Sequence, residues 1–272
     1  MKFSVIVCTY NAPRQLDLVF CGMSRQTRPP DELFVADDGS SAETRDLIAS
    51  WQERLNIPVN HVWHVDRGYR KPRIVNESVR RSSGDHLIFL DGDTIPHSSW
   101  VEDHALAADG RQVLCGRRVK LGPGITPRIT RDWVLAGRLE SLWSPVSLSW
   151  LRGDSKRYLL GIRLPPGPAR IFHPRARKLM GVNFSLPRAA FEAVNGYDES
   201  YTMTWREDYD LDLRLRRAGY SYYPLLNRAI VYHLNHPERQ FSPEIEAIHV
   251  KHERASNIRC VIGLDAPFDP NE

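Results

Sequence analysis

Residues 3–10, FSVIVCTY, form a nearly unbroken apolar and β-branched run. Such a run lacks the polar alternation of a half-solvated strand, so both of its faces must be covered. That requirement is met by a mostly parallel sheet with helices packed on it. Asn11-Ala12-Pro13 ends the run with a turn signal, and Leu16, Val19, Phe20 and Met23 then recur at helical spacing. The alternation repeats. Residues 33–36 read as a second strand, and Ser40 with Glu43 as a capping box ahead of a helix bearing Leu47, Ile48, Trp51 and Leu55. Residues 59–65 read as a third strand, 73–82 as a helix closed by Ser83-Gly84, and 86–90 as a fourth strand running into Asp91. A helix over 98–108 and a strand over 113–119 complete an α/β half with a mostly parallel central sheet and flanking helices.

The pattern then degrades. Between 121 and 178 Pro and Gly punctuate the chain, and Trp133, Trp143 and Trp150 lie among arginines, with one helix expected over 132–142. Regularity returns with a strand over 179–186, helices over 188–194 and 207–218, a strand over 229–232 and an amphipathic helix over 243–258. The spacing thus predicts three stretches: 1–120 as the α/β half, 121–178 as an irregular basic insertion, and 179–272 as a second regular half with a C-terminal helix. The formal net charge is +4, but residues 117–178 carry 14 Lys and Arg against 3 Asp and Glu. So uneven a distribution predicts an anionic partner for the insertion. No recognition motif for nucleic acid accompanies the charge, which excludes that partner. The four cysteines form no CxxC pair and read as buried free thiols of a reducing compartment. Neither a secretory leader nor a spanning segment is legible, so the expectation is a cytoplasmic protein with at most peripheral contact at the inner face of the cytoplasmic membrane.

Three acidic clusters fall at expected element ends: Asp37-Asp38, Asp91-Gly92-Asp93, and Glu207-Asp208 with Asp210 and Asp212. Ligands of open parallel sheets bind beyond the carboxyl ends of the strands, so the first two clusters face one cleft. In the loop after a strand, two aspartates one residue apart can converge on a hard cation. Asp37-Asp38-Gly39-Ser40 suits either a simple turn or a contact to a nucleotide's base or ribose. Asp208, Leu211 and Leu215 are spaced to share the inward stripe of a helix, and an inward carboxylate at a cleft mouth is a candidate general base. His233, and His236 after it, follow a β-branched strand and are candidate cation ligands. Arg70, Lys71 and Arg73 precede or open a helix where they can meet diphosphate charge.

Together, FSVIVCTYNAPRQL, VADDGSS, GDHLIFLDGDTIP, GVNFSLPRAAFEAVNGYDESY, WREDYDLDLRL and VYHLNHPE resemble glycosyltransferase family 2 in order and spacing. The later motifs are similar to the branch with a galactosyltransferase-like C-terminal part. The resemblance implies a GT-A fold, which is Rossmann-like, and transfer of a sugar from a nucleoside diphosphate with inversion. It implies Mn²⁺ or Mg²⁺ held by Asp93, Asp91 and His233, with His236 in reserve. It makes Asp208 the catalytic base and Glu207 its acceptor-side partner. The implied donor set is Thr9, Tyr10, Asn11, Asp37, Asp38, Arg70, Lys71, Arg73, Asn76, Asp91 and Gly92. Two departures stand out. Val75 occupies a position where most relatives carry Arg, leaving that role to Arg73, and Trp205-Arg206 replaces the usual Gly-Gly or Trp-Gly. The expected donor is a UDP-hexose or UDP-N-acetylhexosamine. The expected acceptor is an anionic or lipid-linked glycan, such as lipopolysaccharide core or another bacterial surface polysaccharide.

Two other readings compete. LIFLDGDTIP also suits the nucleophile strand of a haloacid dehalogenase-type phosphohydrolase acting through Asp91 and Asp93, although that family opens on this motif. A non-catalytic glycan-binding protein would use the same cleft. A nucleotidyltransferase is excluded by the lack of a Gly-rich phosphate loop after the first strand.

Overall fold

The computed structural model describes residues 1–175, 178–203, 206–237 and 243–272; Trp205, singled out above, lies outside them. The first part of the chain is built from β1 (Phe3–Thr9), α1 (Pro13–Met23), β2 (Glu32–Asp37), α2 (Ala42–Gln52), β3 (Val59–Trp63), α3 (Lys71–Arg81) and β4 (His86–Asp91). Next come β5 (Thr94–Pro96), α4 (Trp100–Ala107), β6 (Val113–Cys115), β7 (Arg118–Lys120), α5 (Arg131–Leu135), α6 (Pro145–Leu151) and α7 (Pro166–Phe172). The chain closes with β8 (Asn183–Pro187), α8 (Arg188–Ala193), α9 (Glu207–Arg217), β9 (Tyr222–Pro224), β10 (Val231–His233) and α10 (Pro243–Ala255).

Seven strands form one sheet in the order β3-β2-β1-β4-β8-β6-β9, antiparallel only where β8 meets β4 and β6. The opening run behaves as its composition requires. Val5 and Val7 belong to the core on one face of β1 and Ile6 to the core on the other, all with at most 1% exposure. A second sheet, β5-β10-β7, pairs β10 antiparallel to β5 and parallel to β7.

Four expectations need correction. The strand over 113–119 is two strands in two different sheets. They part at Gly116, where a Cβ would overlap the Asn183 side chain. The strand over 179–186 starts only at Asn183. The capping box does not form: Ser41 is the N-cap of α2, and Ser40 Oγ instead accepts from Asn11 N–H at 2.9 Å. The single helix over 132–142 shrinks to α5, and the insertion gains α6 and α7, each started by proline at a first-turn position.

The insertion shares the core on one face of β1 through Leu121, Ile125, Val134, Leu139 and Val146. Polar pins fix it there. Glu140 receives Arg25 Nη1 at 2.7 Å and Ser98 Oγ at 2.8 Å, and Asp103 of α4 receives Arg163 Nη2 at 2.8 Å. Asp154 accepts the Gly124 and Ile125 amides at 2.9 and 3.1 Å. Among the described residues, no helix is long and apolar enough to cross a membrane.

Candidate active site

Sheet register gathers the site. In the β1–β2 and β1–β4 ladders Thr9 lies beside Asp37 and Cys8 beside Asp91, so three strand ends deliver their polar residues to one edge. Gly92 then folds back under β1. Its N–H donates to Cys8 O at 2.7 Å, and an added Cβ would stand 2.7 Å from that same oxygen. Only glycine allows so close a passage. The chain emerges at Asp93 and enters β5, which places Thr94 opposite His233 of β10.

Asp93 is therefore the junction of the two sheets. Its Oδ2 lies 3.6 Å from His233 Nε2 and 3.3 Å from His236 Nε2. One ligand atom from each of the three residues falls within 4.8 Å of the others, a grouping that could hold a metal ion. Thr94 Oγ1 donates to Asp93 Oδ1 at 3.0 Å and Leu234 N–H to Asp93 O at 3.0 Å, fixing both the carboxylate and the turn that carries the imidazoles. Burial lowers the pKa of His233, with Arg118 acting in the same sense against the pull of Asp93; the neutral imidazole it favours is the ligating form. His236, the reserve ligand of the sequence reading, stands as close to Asp93 as His233 does.

Asp91 faces a different neighbour. Lys71 Nζ, from the first turn of α3, meets its Oδ1 at 3.1 Å and Glu207 at 3.8 Å. Burial alone would raise the Asp91 pKa, but Lys71, with His233 and Arg118, holds the carboxyl below its ordinary range. Lys71 in turn is kept firmly charged: burial works against the ammonium, and Asp91 and Asp208 outweigh it.

On α9, Leu211 and Leu215 enter the core as their spacing predicts, which turns the helix's first residues toward the cleft. Tyr69 OH donates to Glu207 Oε1 at 2.5 Å, and Tyr197 OH donates to Asp208 Oδ1 at 2.7 Å. Burial pushes the Asp208 carboxyl up to about 6, opposed by Lys71 and assisted by Glu207 and Asp91. The backbone of Gly181 passes so near that a Cβ there would fall onto the Asp208 carboxylate.

The remaining expected donor contacts are distributed unevenly. Asp37 is fully buried, taking Ser40 N–H and His61 Nε2 at 2.8 Å each. Asp38 takes His64 Nε2 at 2.8 Å and Arg70 N–H at 2.9 Å. Asp37 thus ties the end of β2 to β3, and Asp38 ties it to the start of α3. Asn11 staples β1 to the start of α2 by accepting Ser41 N–H at 2.9 Å. Tyr10 is exposed and donates to Asp66 at 2.8 Å, while Thr9 Oγ1 is buried with no partner among the described residues.

Three residues of the expected donor set turn to partners within the protein. Arg70 turns its guanidinium to Val65 O. Arg73 lies over the Phe268 ring at 5.5 Å and donates to Asp269 O at 3.2 Å. Asn76 is fully buried, donating to Tyr197 O and accepting Tyr197 N–H at 2.9 Å each, and so supports the residue that holds Asp208. The C-terminal segment captures Arg73 because it lies along α3, and no local pattern announces that.

Arg118 went unnoticed in the sequence. β7 runs beside β10, and the Arg118 charge is felt at Asp91, Asp93 and Asp208. Burial lowers its pKa, Asp91 and Asp93 restore it in part, and its buried Nε has no acceptor among the described residues. One arginine among many carries no signal of direction; only the pairing of β7 with β10 gives it one.

Known proteins match the chain in sequence and in fold. The model of glycosyl transferase family 2 matches residues 4–172, more than half of the chain, and the galactosyltransferase model described as an N-terminal domain matches residues 171–237. Validoxylamine A glucosyltransferase of Streptomyces hygroscopicus subsp. limoneus is 32% identical over 228 residues, covering 79% of this chain and 48% of its own length. The chain therefore spans about half of that relative. Among solved structures, S. aureus TarS 1-349 in complex with UDP superposes with a TM-score of 0.62 at 17% identity, over 97% of this chain and 68% of that one. The mannosyltransferase PcManGT from Pyrobaculum calidifontis, in complex with GDP-Man and Mn²⁺, gives 0.58 at 17% identity, over 93% and 63%. The fold is GT-A, as the resemblance implied.

Proposed function

The chain belongs to glycosyltransferase family 2, and on that premise we propose that it transfers a sugar from a nucleoside diphosphate to a glycan hydroxyl with inversion, Asp208 serving as base. One observation carries the proposal: Asp93, His233 and His236, a grouping that could hold a metal ion, share a cleft with a carboxylate whose pKa burial has raised to about 6. One carboxylate with two imidazoles suits Mn²⁺ better than Mg²⁺, which prefers oxygen and water. Bound there, the ion neutralises charge developing on the departing diphosphate.

The chain's own residues supply the rest. A carboxylate with a pKa near 6 is ionised at neutral pH yet basic enough to take the proton of an acceptor hydroxyl. The Tyr197 hydroxyl fixes its orientation, and Glu207, held by Tyr69, stands beside it for the acceptor. Lys71 spaces Asp91 from Glu207 and prevents the acids from repelling one another apart. Arg118 has a guanidinium nitrogen to offer a phosphate oxygen of donor or acceptor. Attack by a hydroxyl held at Asp208, on the face opposite the diphosphate, inverts the anomeric centre.

The proposed donor is a UDP-hexose or UDP-N-acetylhexosamine, a choice supported by the UDP bound in the TarS structure. The proposed acceptor is an anionic or lipid-linked surface glycan such as lipopolysaccharide core, met on the cytoplasmic side; the basic insertion supports it. A phosphohydrolase acting through Asp91 and Asp93 is disfavoured because Asp91 is held by Lys71 and Asp93 faces two imidazoles. The test is a thermal-shift and product screen of UDP-, GDP- and TDP-sugars with Mn²⁺ and phosphorylated or dephosphorylated glycans. Phosphate release from a phosphomonoester without acceptor would revive the phosphohydrolase. A donor left intact across the screen would favour a binding protein.

A further inference from the structure

The insertion exposes what a folded chain ordinarily covers. Ser144 caps α6 by accepting Ser147 N–H, and Val146 and Ser149 turn inward. Leu148 and Leu151, three residues apart, are consequently left on the outer side, next to Leu142 and to Trp143, which is 95% exposed. The corner is rigid: Tyr158 donates to Leu142 O at 3.1 Å and stacks on Trp150 at 5.4 Å. A second outward pair, Ile171 and Phe172 at 78% and 70% exposure, sits at the end of α7. Asn227 ties that helix to the same lobe. Its Oδ1 lies 2.7 Å from His173 Nε2, and on its other side its Nδ2 donates to Leu159 O and Ile162 O at 2.6 and 2.8 Å.

Charge surrounds this apolar corner on one sign. Of the three carboxylates between 117 and 178, Glu140 and Asp154 are spent on the internal bonds described above. Arg152, Lys156 and Arg157 are exposed. Arg157 is also close enough to Arg118 for their charges to oppose each other, so the basic surface reaches the rim of the active site.

We propose that this face is a docking surface for a bilayer rich in anionic phospholipid, with Trp143, Leu148 and Leu151 entering the headgroup region and the arginines meeting phosphate. Aliphatic side chains beside tryptophan suit lipid better than the polar faces of a free glycan. A second copy of the chain would bring two strongly basic faces together, which opposes self-pairing. Docking stands independently of the transferase reading; only its use, presenting the cleft to a lipid-carried acceptor, rests on that reading.

The experiment is co-sedimentation with vesicles of phosphatidylcholine alone or with about one-third phosphatidylglycerol, alongside light scattering for mass. Expected is binding to the anionic vesicles at least about tenfold tighter than to neutral ones, and release by about 0.5 M salt. Trp143→Ser with Leu148→Ser should lower it at least about tenfold, and Arg152→Gln roughly fivefold. Trp143→Phe, which keeps an apolar ring, should retain binding but lose most of the tryptophan quenching given by brominated lipid. No binding to either vesicle overturns the proposal, as does equal binding to both or binding indifferent to the paired substitution. A wild-type dimer that the pair dissolves would overturn it too, assigning the face to self-association. None of these readouts depends on turnover, so loss of docking and loss of transfer remain distinguishable.

Discussion

Replacing Asp208 by Asn separates catalysis from folding in a single variant. The substitution keeps shape and leaves an oxygen for the Tyr197 hydroxyl, but removes the proton acceptor. A positioned general base contributes about 10²- to 10⁴-fold, or roughly 3–5 kcal/mol of barrier, and that is the expected loss of kcat with donor binding nearly unchanged. The carboxyl rises from 3.8 to about 6 on folding, so wild-type kcat/KM should fall tenfold per pH unit below about 6. The same shift has a stability sign. A raised carboxyl pKa means the folded state holds its proton more tightly than the unfolded chain does. Ionised Asp208 therefore costs stability, growing as pH climbs from about 4 to 6 and constant above. Two units correspond to about 3 kcal/mol at most, given the coupling to Lys71. Asp208→Asn should melt several degrees higher than wild type at pH 8 and no higher at pH 4. Single-turnover transfer, donor titration and paired melting curves decide. Transfer surviving within about tenfold, worth roughly 1.4 kcal/mol, refutes Asp208 as the base. A melting temperature lowered at pH 8 refutes the burial argument behind it.

Tyr197→Phe removes a hydrogen bond that favours ionised Asp208, so the acid limb of the pH–rate profile should move to higher pH; an unmoved limb separates the tyrosine from the base. His233→Ala with His236→Ala should weaken Mn²⁺ binding by at least about a hundredfold in a direct titration, since removing even outer partners of metal ligands costs 10–100-fold. Chelator should abolish transfer in the wild type and added Mn²⁺ restore it. Arg118→Ala should lower kcat/KM by about 10–100-fold, the worth of a charge-assisted bond, while leaving the melting temperature unchanged or raised because an unpartnered buried nitrogen is gone; Arg118→Lys should recover part of the loss.

Much of this was legible because the relevant signals are local. A both-faced apolar run needs only its own composition to declare a central strand, and Asp208 needs only Leu211 and Leu215 to point it inward. The site's other half depends on register between distant segments. Nothing in Gly116 warned that Asn183 would sit where its Cβ belongs, so one expected strand became two, and Arg118 turned toward the cleft on the second. Ser40 was readable as a cap but found a stronger claim from the Asn11 backbone. Asn183 itself anchors a buried set that no spacing reveals: its amide joins Trp100 Nε1, His104 Nε2, Arg117 O and Ala229 O at 2.7–3.1 Å. Burial holds the neighbouring imidazoles of His86 and His104 neutral, near 3 and about 4, and both are spent on internal bonds, whereas His233 and His236 face Asp93. Exposure and neighbours distinguish them; residue type does not.

The close passage of Gly92 beneath β1 gives the molecule a seam. Asp91 ends a strand of the seven-stranded sheet, Asp93 introduces the three-stranded one, and a single residue without a side chain joins them. On the proposed function, the residues meant for the nucleotide and those meant for the ion thus descend from different sheets. If that function holds, substitutions on β5 and β10 should alter the metal preference while the β1–β2 and β1–β4 ladders keep their register. A chain so divided can change its chemistry by halves, which makes it a tractable starting point for directed evolution of metal or donor preference.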